Sequence, residues 1–174
     1  ETFYYGTWEN DVLRYDPCTD THTQVRLPLG KMVTGGRRLV NDVVNLPGGK
    51  AILTRKGLFW LNPENDKIED IPITERQPSE WMSGMLNVGL VDSDGVFWIG
   101  SENGLMLSIP TQYAFRYIPL KPVLSLGDID NPFAQILELQ DGTILALDFY
   151  FHTLIASRNG KIIQQISLPE NASL

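Results

Sequence analysis

The chain has 174 residues, of which 43% are hydrophobic and 20% charged, so it is long and apolar enough to form a packed core rather than a disordered segment. Its formal net charge of −7 argues against nucleic acid as a partner, because an acidic surface repels phosphate backbones. The single cysteine, Cys18, excludes an internal disulfide framework and any metal site built from several cysteines.

The ends of the chain and its hydropathy bear on a membrane connection. The chain opens at Glu1 without a signal peptide, which suggests a processed or excised piece. The most apolar run, Thr143–Ala156, is interrupted by Asp148 and His152 and is too short to span a bilayer. We therefore expect contact with a membrane only through flanking segments that this sequence does not contain.

Short strands separated by turn residues follow one another along the whole chain. They are rich in β-branched and aromatic residues, turn signals recur every 8–12 residues, and no long segment keeps a 3.6-residue apolar period, so a helical fold is not expected. The predicted strands are Phe3–Thr7, Val12–Pro17, Gln24–Leu27, Asn41–Leu46, Lys50–Thr54, Leu58–Leu61, Ile68–Ile71, Val88–Val91, Val96–Ser101, Leu105–Ile109, Tyr113–Tyr117, Ala134–Leu139, Thr143–Asp148, Thr153–Ser157 and Ile162–Ser167.

The strands repeat in groups of four. With Gly49, Gly95 and Gly142 as marks of the first turn, the spacings are 95 − 49 = 46 and 142 − 95 = 47. Gly6 lies 48 residues before its expected counterpart, Thr54, so the N-terminal group enters the pattern at its second strand and lacks the innermost one. A four-stranded meander cannot bury both faces alone, which is why copies of it are needed.

Four-stranded units at this period predict an all-β fold of the β-propeller class, in which each blade packs on its neighbours. We expect a single partial propeller over residues 1–174, with about three complete blades after a partial N-terminal one. The predicted blades are residues 1–29 (partial), 39–74, 86–119 and 133–169.

One of these units carries a recognisable motif. The run from Leu90 to Leu105, LVDSDGVFWIGSENGL, resembles the two-component regulator propeller repeat, in which an acidic-Gly turn precedes aromatic-Trp-Ile-Gly-Thr and then Asn-Gly-Leu. The match is strong for residues 88–117 and fair for 1–27. It is weak at 39–73, where Thr54 stands at the usual glycine and Ile52 at the usual tryptophan, and weaker at 133–168, where Leu147 and Leu145 take those places.

The resemblance implies a location and a role. Such repeats build extracytoplasmic input domains of membrane-bound sensors, commonly hybrid histidine kinases that sense glycan fragments, so a periplasmic, non-catalytic sensor fragment is implied. The usual ring has seven blades and needs roughly 300 or more residues at this period. A chain of 174 residues cannot close it, so we expect a fragment whose open blade edges self-associate.

A binding face is expected where the loops between second and third strands and the connections between blades emerge together. Aromatic plates surrounded by Arg, Glu and Asn suit an oligosaccharide, and basic residues suit a sulfated or carboxylated one. The alternative is that Trp81 packs under its own loop and the arginines solvate the rim. The candidate ligand-binding residues are Trp8, Arg37, Arg38, Arg55, Trp81, Glu102 and Asn103.

Catalytic and metal chemistry find little support in the sequence, and no cofactor or metal is expected. His22, in a polar run read as an exposed turn beside Cys18, lacks an orienting group, and His152 lies in an apolar segment. The acidic residues in pairs, Asp92 with Asp94 and Asp128 with Asp130, are best interpreted as turn and loop residues. Two rival functions remain open: a propeller enzyme, such as a polysaccharide lyase or glycosidase, and a protein-interaction scaffold.

Overall fold

The fold is all-β and consists of short antiparallel strands. The computed structural model describes residues 2–7, 11–28, 40–55, 57–71, 85–101, 104–109, 114–118, 133–148, 153–159 and 161–167. These ranges contain fifteen strands and no helix that is long and apolar enough to cross a membrane.

The strands form four sheets, which we number in chain order. Every predicted strand is present with small shifts at its ends; the largest is in β3, which begins at Thr21, so that His22 lies in a strand and not in a turn. The first sheet is β1 (Phe3–Gly6), β2 (Asp11–Asp16) and β3 (Thr21–Arg26); the second is β4 (Val40–Leu46), β5 (Gly49–Thr54), β6 (Gly57–Asn62) and β7 (Lys67–Asp70); the third is β8 (Leu86–Val91), β9 (Phe97–Ser101), β10 (Gly104–Ile109) and β11 (Ala114–Ile118); the fourth is β12 (Phe133–Glu138), β13 (Ile144–Asp148), β14 (Thr153–Arg158) and β15 (Lys161–Ser167).

Each sheet is a meander whose neighbouring strands are consecutive in sequence. The first strands of the last three sheets, β4, β8 and β12, lie against one another in that order, which is the propeller-like arrangement. Strand β1 contacts β4 as β5 contacts β8 and as β9 contacts β12. Strand β1 is therefore a second strand, as predicted. The number of blades in the whole ring and the blade limits stay predictions.

The turn between the first two strands gives the repeat a different register from the predicted one. Gly48, not Gly49, has the positive φ of 81° that Gly95 (78°) and Gly142 (76°) also adopt. The spacings are therefore 95 − 48 = 47 and 142 − 95 = 47. The second sheet has the two-residue turn Pro47–Gly48, typical of a type II turn, where the later sheets have three residues ending in a left-handed glycine. Because the turn of the second sheet is one residue shorter, the sequence pattern matched Gly49 instead of Gly48 to Gly95 and Gly142.

The corrected register changes which residues are equivalent. Gly6, Leu53, Gly100 and Leu147 occupy one position at a spacing of 47, so the counterpart of Gly6 is Leu53 and not Thr54. Thr54 is equivalent to Ser101, and each hydroxyl donates to the glycine carbonyl across the next turn, from Thr54 to Gly57 at 2.8 Å and from Ser101 to Gly104 at 3.0 Å.

The position of the repeat tryptophan shifts in the same way. Ala51, and not Ile52, stands where the third sheet has Trp98, because Ala51 pairs with Trp60 as Trp98 pairs with Leu107. Leu145 holds this position in the fourth sheet, as predicted.

The core consists of three apolar layers, one between each pair of consecutive sheets. Alternate residues of a strand point to opposite faces of its sheet. A strand in a sheet that lies between two others therefore contributes residues to two layers. In β5, Ile52 faces the first sheet while Ala51 and Leu53 face the third. The fully or nearly fully buried members are Val12, Val25, Leu27, Ile52, Phe59 and Leu61 in the first layer; Ala51, Leu53, Leu58, Ile71, Leu86, Phe97, Ile99 and Met106 in the second; and Trp98, Leu105, Leu107, Ile144, Ala146 and Ile155 in the third.

The carboxylate of Asp92 organises the first turn of the third sheet. One oxygen accepts the backbone N–H groups of Asp94 (3.0 Å) and Val96 (2.8 Å), and the other accepts the indole Nε1–H of Trp98 at 2.7 Å. The indole is buried, with 1% of Trp98 exposed, so this N–H depends on Asp92 for its partner. Asp92 is therefore a turn-forming residue, as the sequence indicated, whereas Asp94 contributes only its backbone N–H.

Replacing Asp92 with alanine is expected to destabilise the protein by about 1–3 kcal/mol, because a buried indole donor and two turn amides lose their acceptor. Asp94→Ala is the matched control, since the exposed Asp94 takes part in this network through its backbone N–H alone. Urea unfolding followed by tryptophan fluorescence measures both. Equal losses for the two variants would contradict the assigned role of Asp92.

Candidate functional site

Of the seven predicted ligand-binding residues, the structure describes Arg55. It is exposed and follows directly after β5, at the end of the second sheet from which the loop to β6 emerges. The other six lie outside the described residues: Trp8, Arg37, Arg38, Trp81, Glu102 and Asn103. The predicted clustering of all seven residues on one face therefore stays a prediction.

The innermost strands carry a repeated irregularity at the same end as Arg55. Each has one extra residue relative to its partner strand: Asn41 in β4, Asn87 in β8 and Ala134 in β12. A β-bulge of this kind bends the strand and is frequent beside binding sites, because it redirects a side chain. Three bulges at equivalent positions show that this end of the sheets has one common backbone geometry.

The bulge of β4 joins the second sheet to the third through polar side chains. The amide of Asn41 donates to the backbone carbonyl of Leu86 at 2.7 Å, next to the bulge of β8. The neighbouring carboxylate of Asp42 accepts hydrogen bonds from two backbone N–H groups. One is that of the adjacent Val43 in β4, at 2.8 Å, and the other is that of Gly89 in β8, at 2.9 Å. Asn41 and Asp42 thus fix the relative position of two neighbouring sheets near the expected binding face.

The absence of a side chain at Gly89 allows this approach. A Cβ built there would lie 2.7 Å from Cγ2 of Val44 and 3.0 Å from Cε2 of Phe97, closer than carbon atoms pack. The glycine therefore lets β8 come near enough to β4 for its N–H to reach Asp42. The sequence analysis missed this site, although the asparagines at 41 and 87 recur one repeat apart.

Burial raises the pKa of the Asp42 carboxyl above its usual range, and the hydrogen bonds from Gly89 and Val43 offset part of that rise. Asp141 shows the opposite effect. Hydrogen bonds from the side chain and backbone of Thr143, together with Arg158, lower the pKa of this exposed carboxyl. The two aspartates therefore respond to pH in opposite ways.

At the opposite end of the sheets, polar side chains link neighbouring sheets. Asp66, in the turn between β6 and β7, accepts from Tyr4 at 3.1 Å and pairs with Arg14 at 2.5 Å, which joins the second sheet to the first. Ser93 and Glu138 join the third and fourth sheets, with the Ser93 backbone N–H donating to the carboxylate at 2.9 Å. These groups link neighbouring sheets, and each of them has another of the named groups as its hydrogen-bond or ion-pair partner.

Those catalytic candidates that the structure describes do not converge. His22 stacks on Tyr15 with ring centroids 4.7 Å apart and meets Tyr5 edge-on at 6.2 Å, while Cys18 is exposed in the turn before β3. Both carboxylate oxygens of Asp92 accept hydrogen bonds, one from backbone N–H groups of its turn and the other from the indole of Trp98. His152, Asp128 and Asp130 lie outside the described residues.

Known structures show where this fold occurs. No model of a known protein family matches the chain, and no curated protein sequence matches it. Two similar structures are extracellular domains of B. thetaiotaomicron proteins, each assigned to a hybrid two-component system. One has 19% identity and a TM-score of 0.64 over 84% of this chain and 18% of its own. The other has 15% identity and a TM-score of 0.65 over 92% of this chain and 21% of its own.

An enzyme shares the fold as well. Virginiamycin B lyase from Staphylococcus aureus has 10% identity and a TM-score of 0.67, over 92% of this chain and 50% of the lyase. The chain thus spans about a fifth of the two extracellular domains and half of the lyase. At these identities the similarity concerns the fold, so the function has to be argued from the residues of this chain.

Replacing Asp42 with asparagine is expected to change how stability depends on pH. A carboxyl with a raised pKa binds its proton more tightly in the folded state, so folded stability falls as pH rises from the unfolded pKa of about 4 through the folded value. The variant lacks this loss. Its stability relative to the parent protein should therefore increase between about pH 4 and pH 7, as measured by urea unfolding.

Asp141→Asn is the matched control, because a lowered pKa gives the opposite sign. Its carboxylate stabilises the fold above the unfolded pKa and loses that effect as pH falls through the folded one. The control variant should therefore lose stability relative to the parent as pH rises from the lowered folded pKa to the unfolded pKa of about 4, and should change little between pH 5 and pH 7. Slopes of the same sign for the two variants would contradict the assignment.

Proposed function

We propose that the chain is part of the extracytoplasmic, ligand-binding input domain of a two-component signal transduction protein of the two-component regulator propeller family, located in the periplasm. It binds an oligosaccharide and carries no catalytic activity of its own. Binding alters the packing between sheets, and this change is the signal passed to the remainder of the protein.

The observation that carries this proposal is the third sheet. Its run Asp92–Leu105 matches the family's repeat in residue type, and the motif residues have structural roles that explain the match. The acidic residue holds the turn and the tryptophan, and the serine at 101 closes the next turn. Fold similarity to two extracellular domains assigned to two-component systems supports the same conclusion.

The ligand-binding face is assigned to the end of the sheets that carries Arg55 and the strand bulges. The other predicted residues lie outside the described ranges, in sequence next to strands that begin or end at this end of the sheets: Trp8, Arg37, Arg38, Trp81, Glu102 and Asn103. An exposed arginine offers a planar, bidentate group that suits carboxylate or sulfate, and tryptophan offers a flat surface for a sugar ring. These chemistries favour an acidic oligosaccharide, such as one containing uronic acid or sulfate groups.

An enzymatic function is the second candidate, because the lyase shares the fold. It requires an acid and a base that converge on one face. Within the described ranges the acidic groups named above are paired with turn amides, arginine or serine, and His22 is packed between tyrosines on the outer part of the first sheet. These arrangements favour binding over turnover.

Calorimetric titration with a panel of neutral, carboxylated and sulfated oligosaccharides tests the proposal. We expect an acidic oligosaccharide to bind and Arg55→Ala to weaken binding at least tenfold, because a charge-assisted hydrogen bond contributes about 1.5–3 kcal/mol. Arg158→Ala is the control of equal charge at the opposite end, and it should bind normally. Absence of binding across the panel, or shortened sugar products after incubation, would contradict a non-catalytic glycan sensor.

A further inference from the structure

The bulge of β8 carries an asparagine at the same place in its sheet as Asn41 has in the second sheet. Asn87 is the extra residue of β8, and the residues that follow the two asparagines pair with the equivalent Leu53 and Gly100. The contacts of the two asparagines nevertheless differ. The amide of Asn41 donates to the carbonyl of Leu86 at 2.7 Å, whereas the carboxamide of Asn87 has no hydrogen-bond partner among the residues that the structure describes.

The second polar link at this end of the second sheet does not recur in the next pair of sheets either. Asp42 accepts a hydrogen bond from the N–H of Gly89. In the third sheet Val88 occupies the position of Asp42, and in the fourth sheet Ile136 occupies the position of Gly89. Because an aliphatic side chain accepts no hydrogen bond, Val88 cannot form the link that Asp42 forms. Asn87 is therefore a polar side chain without the joining role of its counterpart.

The surroundings of Asn87 make an unused carboxamide noteworthy. The residue is half-buried, so part of its side chain is shielded from water. A carboxamide has two N–H donors and an oxygen that accepts two hydrogen bonds. Burial of such groups without partners costs stability, and a polar group kept in this state calls for an explanation. A β-bulge redirects a side chain and is frequent beside binding sites, which makes a ligand the explanation that fits.

We propose that Asn87 is a ligand-binding residue, whose carboxamide forms hydrogen bonds with the hydroxyl groups of a sugar. The inference rests on the proposed function and deepens it, because it adds a neutral polar group to the end of the sheets that carries Arg55. Asn41 keeps its structural bond to Leu86, so the two bulge asparagines have different roles.

The charges of the innermost strands indicate which part of the ligand Asn87 recognises. Strand β8 contains no charged residue, the carboxylate of Asp42 in β4 accepts two backbone N–H groups, and Glu138 of β12 lies at the opposite end. A neutral carboxamide in these surroundings suits hydroxyl groups, which both donate and accept. Arg55 suits a carboxylate or sulfate. The ligand is therefore an oligosaccharide with free hydroxyls for Asn87 and an acidic group for Arg55.

Calorimetric titration with two probes, a trisaccharide of uronic acid and a sulfated disaccharide, tests the assignment. Asn87→Ala is expected to raise the Kd of a bound probe about three- to tenfold, because neutral hydrogen bonds to the ligand are lost. Asn45→Ala is the matched control and should bind like the parent protein. Asn45 also belongs to an innermost strand, but it is exposed at the opposite end and accepts from Lys50.

Urea unfolding of the same variant separates a binding role from a structural one. Asn87→Ala should keep the unfolding midpoint of the parent protein, because no hydrogen bond within the described part of the chain is lost. Asn41→Ala should have a lower midpoint, because it loses the bond to Leu86 that joins two sheets.

A measurement on the parent protein makes the test independent of how well a variant folds. In a heteronuclear NMR spectrum, the side-chain N–H signals of Asn87 should shift when a probe is added, and those of Asn45 should stay in place. The signals are assigned through the side-chain carbons of each asparagine, so no substitution is needed.

A probe that binds the parent protein without moving the Asn87 signals, or that binds Asn87→Ala with unchanged affinity, would overturn this proposal and leave the proposed function standing. An unfolding midpoint for Asn87→Ala as low as that for Asn41→Ala would also overturn it, since Asn87 would then have a structural role. Failure of both probes to bind the parent protein would overturn the proposed function as well.

Discussion

The structure depends on one constraint: the second and third sheets are apolar on both faces, so each of them is stabilised by a neighbouring sheet on either side. Strand alternation produces this directly. At the spacing of 47, the second strands carry a large apolar residue on one face, such as Ile52 and Ile99, and another on the opposite face, such as Leu53 and Trp98. Burial of a side chain of this size contributes about 1.5–3 kcal/mol to the stability of the fold. An isolated meander does not bury the side chains on both of its faces.

Polar side chains join neighbouring sheets at both ends of the strands. At one end, Asn41 and Asp42 tie the second sheet to the third where the innermost strands bulge. At the other, Asp66 and Glu138 accept from side chains or amides of the adjoining sheet. A ligand held at the bulged end lies close to the contacts that set the angle between sheets, which gives the proposed sensor a physical route from binding to a change in packing.

Much of the fold could be predicted from the sequence, because turn residues and alternation are local properties. All fifteen strands and the missing innermost strand of the first group were found in this way. The register of the second sheet was wrong because Pro47-Gly-Gly offers two glycines, and only the backbone angle shows that Gly48 makes the turn. The Asp42 site depends on the approach of Gly89 from another sheet, which a linear pattern does not contain.

Native-state hydrogen exchange of the protein tests the central claim, that coverage on both faces makes a sheet of the stack stable. The account predicts that the amides of β5 and β9, in the two sheets covered on both sides, exchange only through global unfolding. Those of β2 and β14, in the end sheets, should exchange through lower-energy openings. Equal protection in all four sheets, or the highest protection in an end sheet, would contradict the account.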